Sequence, residues 1–381
     1  MLKPVAGFAA FGLFWGAWGA ILPAIRTGAG VNDGELGVAL LMIGLGALVS
    51  MRLTGYLIDR YGGVVLPVVT VLFALCAVLP ALAGSVVTLS AALLLLGATS
   101  GAMDVAINAT GSHAEHDSGR PVMNLAHGMF SVAVVVASLG TAGLRAAGVG
   151  ALPVLVGAAA LIVITAVVAL APGATKVTGI PRTAAKPRTR FEPVLLVFGV
   201  LCALAYLVEN AWQSWSAVHL DTSLNAAAGL ASSAPAVFAA AAATGRFAGN
   251  ALLARVRPVQ LLVVGGAVAA VGSLVAATAN NPWTALIGIG VAGLGTSVCA
   301  PTIIGMAGAW AGPERRGGAI STVTTIAYVG FLIGPAAVGA VSSAWSLPVA
   351  LGAVAVIAVV VAGLAPVAGR VARPRASRPL G

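Results

Sequence analysis

Charged residues are scarce in this chain: they make up 8% of its 381 residues, whereas a soluble domain carries about 25%. Hydrophobic residues make up 60%, and the mean hydropathy is +1.05. A water-soluble fold cannot bury this much apolar surface, so the composition excludes soluble proteins and predicts a multi-pass membrane protein. At about 20 residues per span, the length predicts an all-α fold of about twelve transmembrane helices.

Cysteine is also rare, and Cys76, Cys202 and Cys299 all lie in apolar segments. Their odd number and their spacing indicate neither a disulfide framework nor a metal site. The run His-Ala-Glu-His at 113–116 departs from the His-Glu-x-x-His spacing of a zinc-dependent protease, and we interpret it as a solvated loop. We therefore predict no metal, no cofactor and no enzymatic activity.

The apolar segments form two groups of six spans. Between the groups, the segment 172–192 holds five basic residues and three prolines, a composition typical of a flexible cytoplasmic linker. We predict an N-terminal half at 1–171, a C-terminal half at 193–368 and a basic cytoplasmic tail at 369–381. The predicted spans are 4–25, 35–57, 64–83, 86–112, 124–145, 151–171, 193–219, 226–254, 258–279, 282–309, 318–342 and 345–368.

Lys and Arg are distributed unevenly between the two sides of the predicted membrane. If the N-terminus is cytoplasmic, all 20 basic residues except Arg26 and Arg145 lie on or near the cytoplasmic side. Because this follows the positive-inside rule, the net charge of +10 reflects topology and implies no nucleic-acid partner. We predict a monomer in the lipid bilayer of the plasma (inner) membrane, with both termini in the cytoplasm.

The two halves also repeat each other. The segment 55–62 follows the second span, and the similar segment 249–257 follows the eighth span, 194 residues later (249 − 55). Two parallel six-helix repeats are typical of transporters that work by alternating access.

Two acidic residues, Asp104 and Glu209, lie deep in apolar spans. An ionised carboxylate at membrane depth is costly, so it needs a cavity, a proton or a partner. Asn108 lies one helical turn from Asp104 on the same face. We predict that Asp104 is the proton-coupling carboxylate. The alternative is a structural carboxylate that accepts hydrogen bonds from neighbouring donors.

Polar and aromatic residues form stripes on two other predicted helices. His127 follows Asn124 by three residues, and Trp212 follows Glu209 by three residues, with Trp215 one turn further on. Rings beside polar groups suit a sugar ring or a flat amphipathic molecule. The alternatives are polar packing for the histidine and interfacial anchoring for the tryptophans. The predicted solute-binding residues are Asn108, Asn124, His127, Glu209, Trp212 and Trp215.

The segment 55–62, Gly-Tyr-Leu-Ile-Asp-Arg-Tyr-Gly, resembles the signature loop between helices 2 and 3 of the major facilitator superfamily. In that family the loop helps to close the cytoplasmic side, so the resemblance implies a gating role for Asp59 and Arg60. We expect the same role for Arg246 and Arg255 in the second half. The alternative for the arginines is plain positive-inside anchoring.

A narrower resemblance, carried by the segments 102–108, 124–131 and 209–218, is to the fucose-permease-like branch of sugar–proton symporters and its uncharacterised relatives. The chain departs from that pattern in its first span, where 16–23 holds no acid, and in its seventh span, where Ser214 replaces an acid. It also has no proline in 131–143, where drug–proton antiporters of the superfamily carry a Gly-Pro-rich motif.

Together the residues and the resemblance predict a proton-coupled secondary transporter of a small polar or amphipathic solute, such as a sugar. Its partners are then the solute and the proton. One alternative is a proton-driven exporter of drugs or metabolites on the same fold, and a more remote one is a solute sensor that does not transport.

Overall fold

A computed structural model of the chain describes residues 2–119, 122–170, 192–253, 255–312 and 315–372. Regular structure in these ranges is helical throughout and includes no strand, so the all-α prediction is confirmed. The α-helices of these ranges are α1 (Leu2–Ala29), α2 (Asp33–Tyr61), α3 (Val65–Val78), α4 (Val86–Ser118), α5 (Val122–Ala146), α6 (Ala151–Leu170), α7 (Pro193–Val218), α8 (Ala228–Leu252), α9 (Pro258–Ala277), α10 (Pro282–Thr296), α11 (Cys299–Ala311), α12 (Arg316–Ala344) and α13 (Leu347–Val371).

Ten helical segments within the described residues are long and apolar enough to cross a membrane. One of them, Asp33–Leu82, contains both α2 and α3, and α6 is a further, shorter apolar helix. The helices are therefore consistent with the predicted twelve spans. The predicted tenth span consists of two helices, because α10 ends at Thr296 and α11 begins at Cys299.

Several helices extend further than the sequence predicted, among them α4 and α13. α4 continues to Ser118, so the segment 113–117 forms its last turns and the prediction of a loop there was wrong. Gly119 ends this helix in the left-handed region, at φ 65°, which a residue without a Cβ adopts at little cost. α13 continues to Val371. The predicted linker, apart from Glu192, and the tail beyond 372 lie outside the described residues.

The helices pack into two compact units. The first unit draws its described residues from Met1–Ala184, Ser214–Ala239 and Gly339–Leu347, and the second from Ala185–Gln213, Ala240–Val338 and Pro348–Gly381. The first unit therefore contains α1 to α6 together with the ends of α7 and α12 and the beginning of α8. The predicted boundary between two chain halves at 172–192 stays a prediction.

Close glycine contacts hold the helices of the first unit together. A methyl group on Gly97 of α4 would overlap the carbonyl oxygen of Ile43 in α2, and one on Gly46 of α2 would overlap that of Leu94. Gly12 of α1 lies equally close to the backbone of α5. In lipid, helices associate through such contacts between small residues, since no hydrophobic effect drives them together.

The second unit is packed in the same way. Gly272 of α9 and Gly288 of α10 lie against each other's helix backbone, and Gly330 of α12 lies against the carbonyl oxygen of Ala203 in α7. A buried core that includes Phe198, along with residues of α9, α11, α12 and α13, surrounds the first half of α7. This packing fixes the position and rotation of α7, which carries Glu209.

Replacing Gly97 by Ala is expected to destabilise the first unit, because the added methyl group pushes α4 away from α2 at a cost of about 1–3 kcal/mol. The measurement is the thermal midpoint of the detergent-solubilised protein, which should fall. Gly352→Ala in α13 is the control, since nothing lies within 4 Å of the added methyl group. Equal midpoints for the two variants would contradict the close α2–α4 packing.

Candidate functional site

Asp104 lies near the middle of α4 and has one hydrogen-bonding side-chain partner. It follows Val86 by 18 residues (104 − 86), which is about 27 Å along the helix at 1.5 Å per residue. The amide of Asn108 donates to its Oδ1 at 3.1 Å and to its backbone carbonyl at 2.8 Å. Both side chains are half-buried. No cation within the described ranges forms an ion pair with Asp104.

The glycine contacts of α4 determine which way Asp104 faces. Gly97, Gly101, Asp104 and Asn108 follow one another at spacings of four, three and four residues, so they lie on one face of the helix. The first two pack against the backbone of α2. The carboxylate therefore continues the stripe of α4 that faces α2.

His127 lies on α5, and its side chain is exposed. Its ring packs against Phe8 of α1, with 4.5 Å between the ring centroids. The hydroxyl of Ser131 donates to its backbone carbonyl. The imidazole is thus held on one side and accessible on the other. The side chain of Asn124 lies outside the part of the chain that the structure describes.

Glu209, the second deep acid, forms an ion pair that the sequence did not predict. Its Oε1 accepts from Arg246 Nη2 of α8 at 2.7 Å and from Gln213 Nε2 at 3.2 Å. The glutamate is 8% exposed. The arginine side chain, at 45% exposure, is the accessible partner. The buried carboxylate is therefore compensated by a fixed positive charge, and the guanidinium keeps further N–H donors on its exposed side.

The accessible face of α7 differs from the predicted one. Trp212 and Trp215 are both 0% exposed, and Trp212 donates from Nε1 to Ser273 Oγ of α9 at 2.8 Å. Both rings are fully buried by neighbouring side chains, so neither is accessible to a solute in this structure. Gln213 is exposed and Tyr206 is half-buried, so the accessible polar face of α7 contains these two residues and not the tryptophans.

An aromatic group that the sequence did not predict lies beside the ion pair. Tyr206 of α7 packs edge-on to Phe331 of α12 at 6.5 Å, and Tyr328 lies 5.6 Å from the same ring. Tyr206 also interacts electrostatically with Glu209 and Arg246. The available signals were the i, i+3 spacing of Tyr206 and Glu209 and that of Tyr328 and Phe331. The neighbouring Asn210 of α7 donates to the carbonyl of Phe331 and joins the two helices.

Among the predicted gating residues, Arg246 is thus a partner of Glu209. Asp59, Arg60 and Arg255 are exposed, and in the described structure none of them forms an ion pair. Arg60 lies over the ring of Tyr61, 5.5 Å from its centroid. A gating role for these three residues stays a prediction.

The two deep acids therefore differ in chemistry. The carboxylate of Glu209 has a cation at hydrogen-bond distance, which favours its ionised form. Asp104 has only a neutral amide, so protonation would remove an uncompensated charge from the interior. The first arrangement suits a fixed anchor for polar groups of a solute, and the second suits a group that gains and loses a proton.

Comparisons with known proteins agree on one family. The family model described as Major Facilitator Superfamily matches residues 200–381. An uncharacterised MFS-type transporter of Yersinia pestis is 33% identical over 360 residues, which cover 93% of this chain and 92% of that protein.

Solved structures show the same fold at low sequence identity. A bacterial homologue of the human lysosomal transporter Spinster, in an inward-facing and occupied conformation, aligns with a TM-score of 0.82 and 16% identity over 97% of this chain and 96% of its own. A D-xylose–proton symporter aligns with a TM-score of 0.73 and 14% identity over 96% of both chains.

Breaking the ion pair from either side should have unequal effects. Arg246→Met leaves a buried carboxylate without its cation, whereas Glu209→Gln leaves a guanidinium that water can reach. We expect the first variant to be the less stable one. The double variant should lose less free energy of unfolding than the two single variants lose together, by about 1–3 kcal/mol.

This coupling is measured by thermal unfolding, in detergent, of the unmodified protein, the two single variants and the double variant. The control is Arg315→Met, because the pair that Arg315 forms with Glu192 at 2.8 Å is exposed on the arginine side (67%) and should contribute little. Strict additivity of the Glu209 and Arg246 variants would show that the pair has no energetic significance.

Proposed function

Because this chain belongs to the major facilitator superfamily and is a transporter, we propose that it couples the movement of a small polar or amphipathic solute to that of protons. The solute is sugar-like in this proposal, and the mechanism is alternating access. The family and its transporter relatives place the chain outside the enzymes. A D-xylose–proton symporter with the same fold supports proton coupling as the energy source.

The observation that carries the proposal is the environment of Asp104. A group that couples protons to transport must exist in two charge states within one fold. A cation at contact distance would hold the carboxylate ionised, and none is present among the described residues. Asn108 accommodates both states, because its amide donates to the carboxylate and its carbonyl oxygen can accept from the carboxylic acid.

The ion pair and the tyrosines of the second unit supply the features of a solute anchor. Glu209 fixes the orientation of the Arg246 guanidinium, whose other N–H groups suit the hydroxyl or carboxylate oxygens of a solute. Tyr206 and Tyr328 add hydroxyl groups and ring faces of the kind that stack on sugar rings. We therefore assign solute binding to this group and proton binding to Asp104, with His127 as a secondary polar group.

The proposed orientation follows from the charges of the chain. The positive-inside rule supports cytoplasmic termini, and we propose that the chain is inserted in the plasma (inner) membrane. With this orientation α1 ends on the extracytoplasmic side, next to Arg26. We call the helix ends on that side the outer ends.

Asp104→Asn should abolish solute-dependent proton flux, because the amide is a permanent mimic of the neutral acid and carries no exchangeable charge. Exchange of labelled for unlabelled solute across the membrane should remain, since it requires no net proton movement. The measurement uses proteoliposomes with an internal pH dye, an imposed pH gradient and pools of sugars and amphipathic amines.

Glu35→Gln is the control for the loss of one negative charge, because Glu35 lies in the first turn of α2, outside the apolar part of the span. Full gradient-driven uptake by Asp104→Asn would contradict the assignment. Solute movement without proton flux in the unmodified protein would contradict proton coupling. The direction of the gradient that drives accumulation also distinguishes import from export.

Removing the hydroxyl of Tyr206 or Tyr328 by replacement with Phe should raise the half-saturating solute concentration. One lost hydrogen bond of about 0.5–1.5 kcal/mol corresponds to roughly two- to twelvefold, with little change in maximal rate. Tyr61→Phe is the matched control, since Tyr61 is exposed at the end of α2 and keeps its ring beneath Arg60. An unchanged half-saturating concentration in both variants would show that the hydroxyl groups of the tyrosines do not bind the solute.

A further inference from the structure

The two exceptions to the positive-inside rule, Arg26 and Arg145, both have acidic neighbours at the outer ends. Arg26 Nε donates to Asp33 Oδ1 at 2.9 Å. The carboxylate of Asp221, in the π-helical turn His219–Ser223 that follows α7, interacts electrostatically with Arg145 and Arg26. The outer end of the first unit therefore carries two cations and two anions that compensate one another. Anchoring at a membrane surface does not require this arrangement.

Asp33 connects three helices at this end. It is the first residue of α2, and its Oδ1 accepts from Arg26 near the end of α1. Its Oδ2 accepts from the hydroxyl of Ser342 near the end of α12 at 2.6 Å. The Asp33 and Arg26 side chains are 16% and 23% exposed. One carboxylate therefore ties the first two helices of the chain to its twelfth.

The backbones are in contact at the same place. A Cβ on Gly34 would lie 3.0 Å from the Cβ of Ser343, and one on Gly339 of α12 would lie 2.6 Å from the carbonyl oxygen of Asp33. Glycine at 34 and 339 is what allows α2 and α12 to approach this closely.

A second contact of the same kind joins α5 and α8. A Cβ on Gly229, near the beginning of α8, would lie 2.6 Å from the Cβ of Ala146 and 2.9 Å from the carbonyl oxygen of Ala142. Ser138 lies one turn before Ala142 on the same face of α5 and is 0% exposed. Its hydroxyl has no hydrogen-bond partner in the described structure. It is a buried position directly behind this contact.

We infer that Asp33 is the latch of an outer gate, in which α2 closes on α12 and α5 closes on α8. The inference rests on the proposed alternating access, because that mechanism requires the outer ends to separate once per cycle. A carboxylate shared between an arginine and a serine is strong enough to favour the closed state. It is also weak enough to break, since ion pairs that water can reach contribute little.

A purely structural role for Asp33 makes a different prediction. As the first residue of α2, its charge also stabilises the helix N-terminus. Glu35 lies in the same first turn, and its side chain accepts from the backbone N–H of Asn32. If charge at the helix start is all that matters, Asp33→Asn and Glu35→Gln should behave alike.

The first experiment measures opening directly, with a thiol behind the gate. Ser138→Cys is placed in the unmodified, the Asp33→Asn and the Glu35→Gln backgrounds, and a membrane-impermeant maleimide is added from outside. Of the native cysteines, Cys202 and Cys299 are buried and Cys76 is half-buried, so the parent protein supplies the background rate. We expect Asp33→Asn to raise the labelling rate about two- to fivefold, the range that loss of one partly exposed ion pair supports. Glu35→Gln should leave the rate unchanged.

The second experiment locks the gate. Gly34→Cys combined with Ser343→Cys places two Cβ atoms 3.0 Å apart, and a shift of about 0.5 Å would bring them to the Cβ–Cβ distance of a disulfide. Oxidation of this double variant should stop solute transport and suppress labelling of Ser138→Cys, and reduction should restore both. The single variants, which cannot form the bond, should be insensitive to oxidation.

Equal labelling rates for Asp33→Asn and Glu35→Gln would overturn the inference and reduce Asp33 to a structural residue. Asp33→Glu, which keeps the charge, provides a further comparison if the Asn variant fails to fold, and rapid labelling of Asp33→Glu would contradict the latch. If the disulfide does not form, or if the oxidised protein still transports, the inference of a gate is contradicted and the proposed function is unaffected. Absence of transport in the unmodified protein would refute the proposed function, while the labelling rates still test the latch.

Discussion

The absence of water in the bilayer core is the constraint on which this structure depends. Backbone groups there must be satisfied within the chain, and the described residues accordingly form helices that glycine contacts hold close together. Charges must be satisfied as well. Glu209 has Arg246, Arg26 has Asp33, and Asp104 has only the amide of Asn108. Each of these solutions implies a different use of the charge.

In the proposed transport cycle, the ion pair and the lone carboxylate have different roles. The pair of Glu209 and Arg246 brings no net charge into the interior, so it can stay ionised while its donors bind a solute. Asp104 brings a net charge that a proton can cancel, so in the proposed mechanism its protonation follows the pH on the side of the membrane to which it is open. The side chains of Arg26 and Asp33 are partly exposed, which makes this pair suitable for repeated breaking and forming in the proposed gate.

Hydropathy predicted the order of the apolar helices, and the described helices are consistent with the twelve predicted spans, because each helix crosses the same apolar thickness. It did not predict the break between Thr296 and Cys299, since both sides are apolar. On α7 the sequence pattern did not distinguish the buried face from the exposed one, because an i, i+3 spacing fits Tyr206 and Glu209 as well as it fits Glu209 and the buried Trp212. The partners of Glu209 and Asp33 depend on helix pairing between distant segments, which a single sequence does not encode in its local pattern.

The proposed mechanism depends above all on Asp104 changing its protonation state while Glu209 keeps its charge. Infrared difference spectroscopy of the protein in liposomes, recorded on a change of pH, detects the carbonyl stretching band of a protonated carboxyl group. We expect a band that Asp104→Asn removes and that Glu209→Gln leaves in place. A band that persists in Asp104→Asn and is lost in Glu209→Gln would contradict the mechanism.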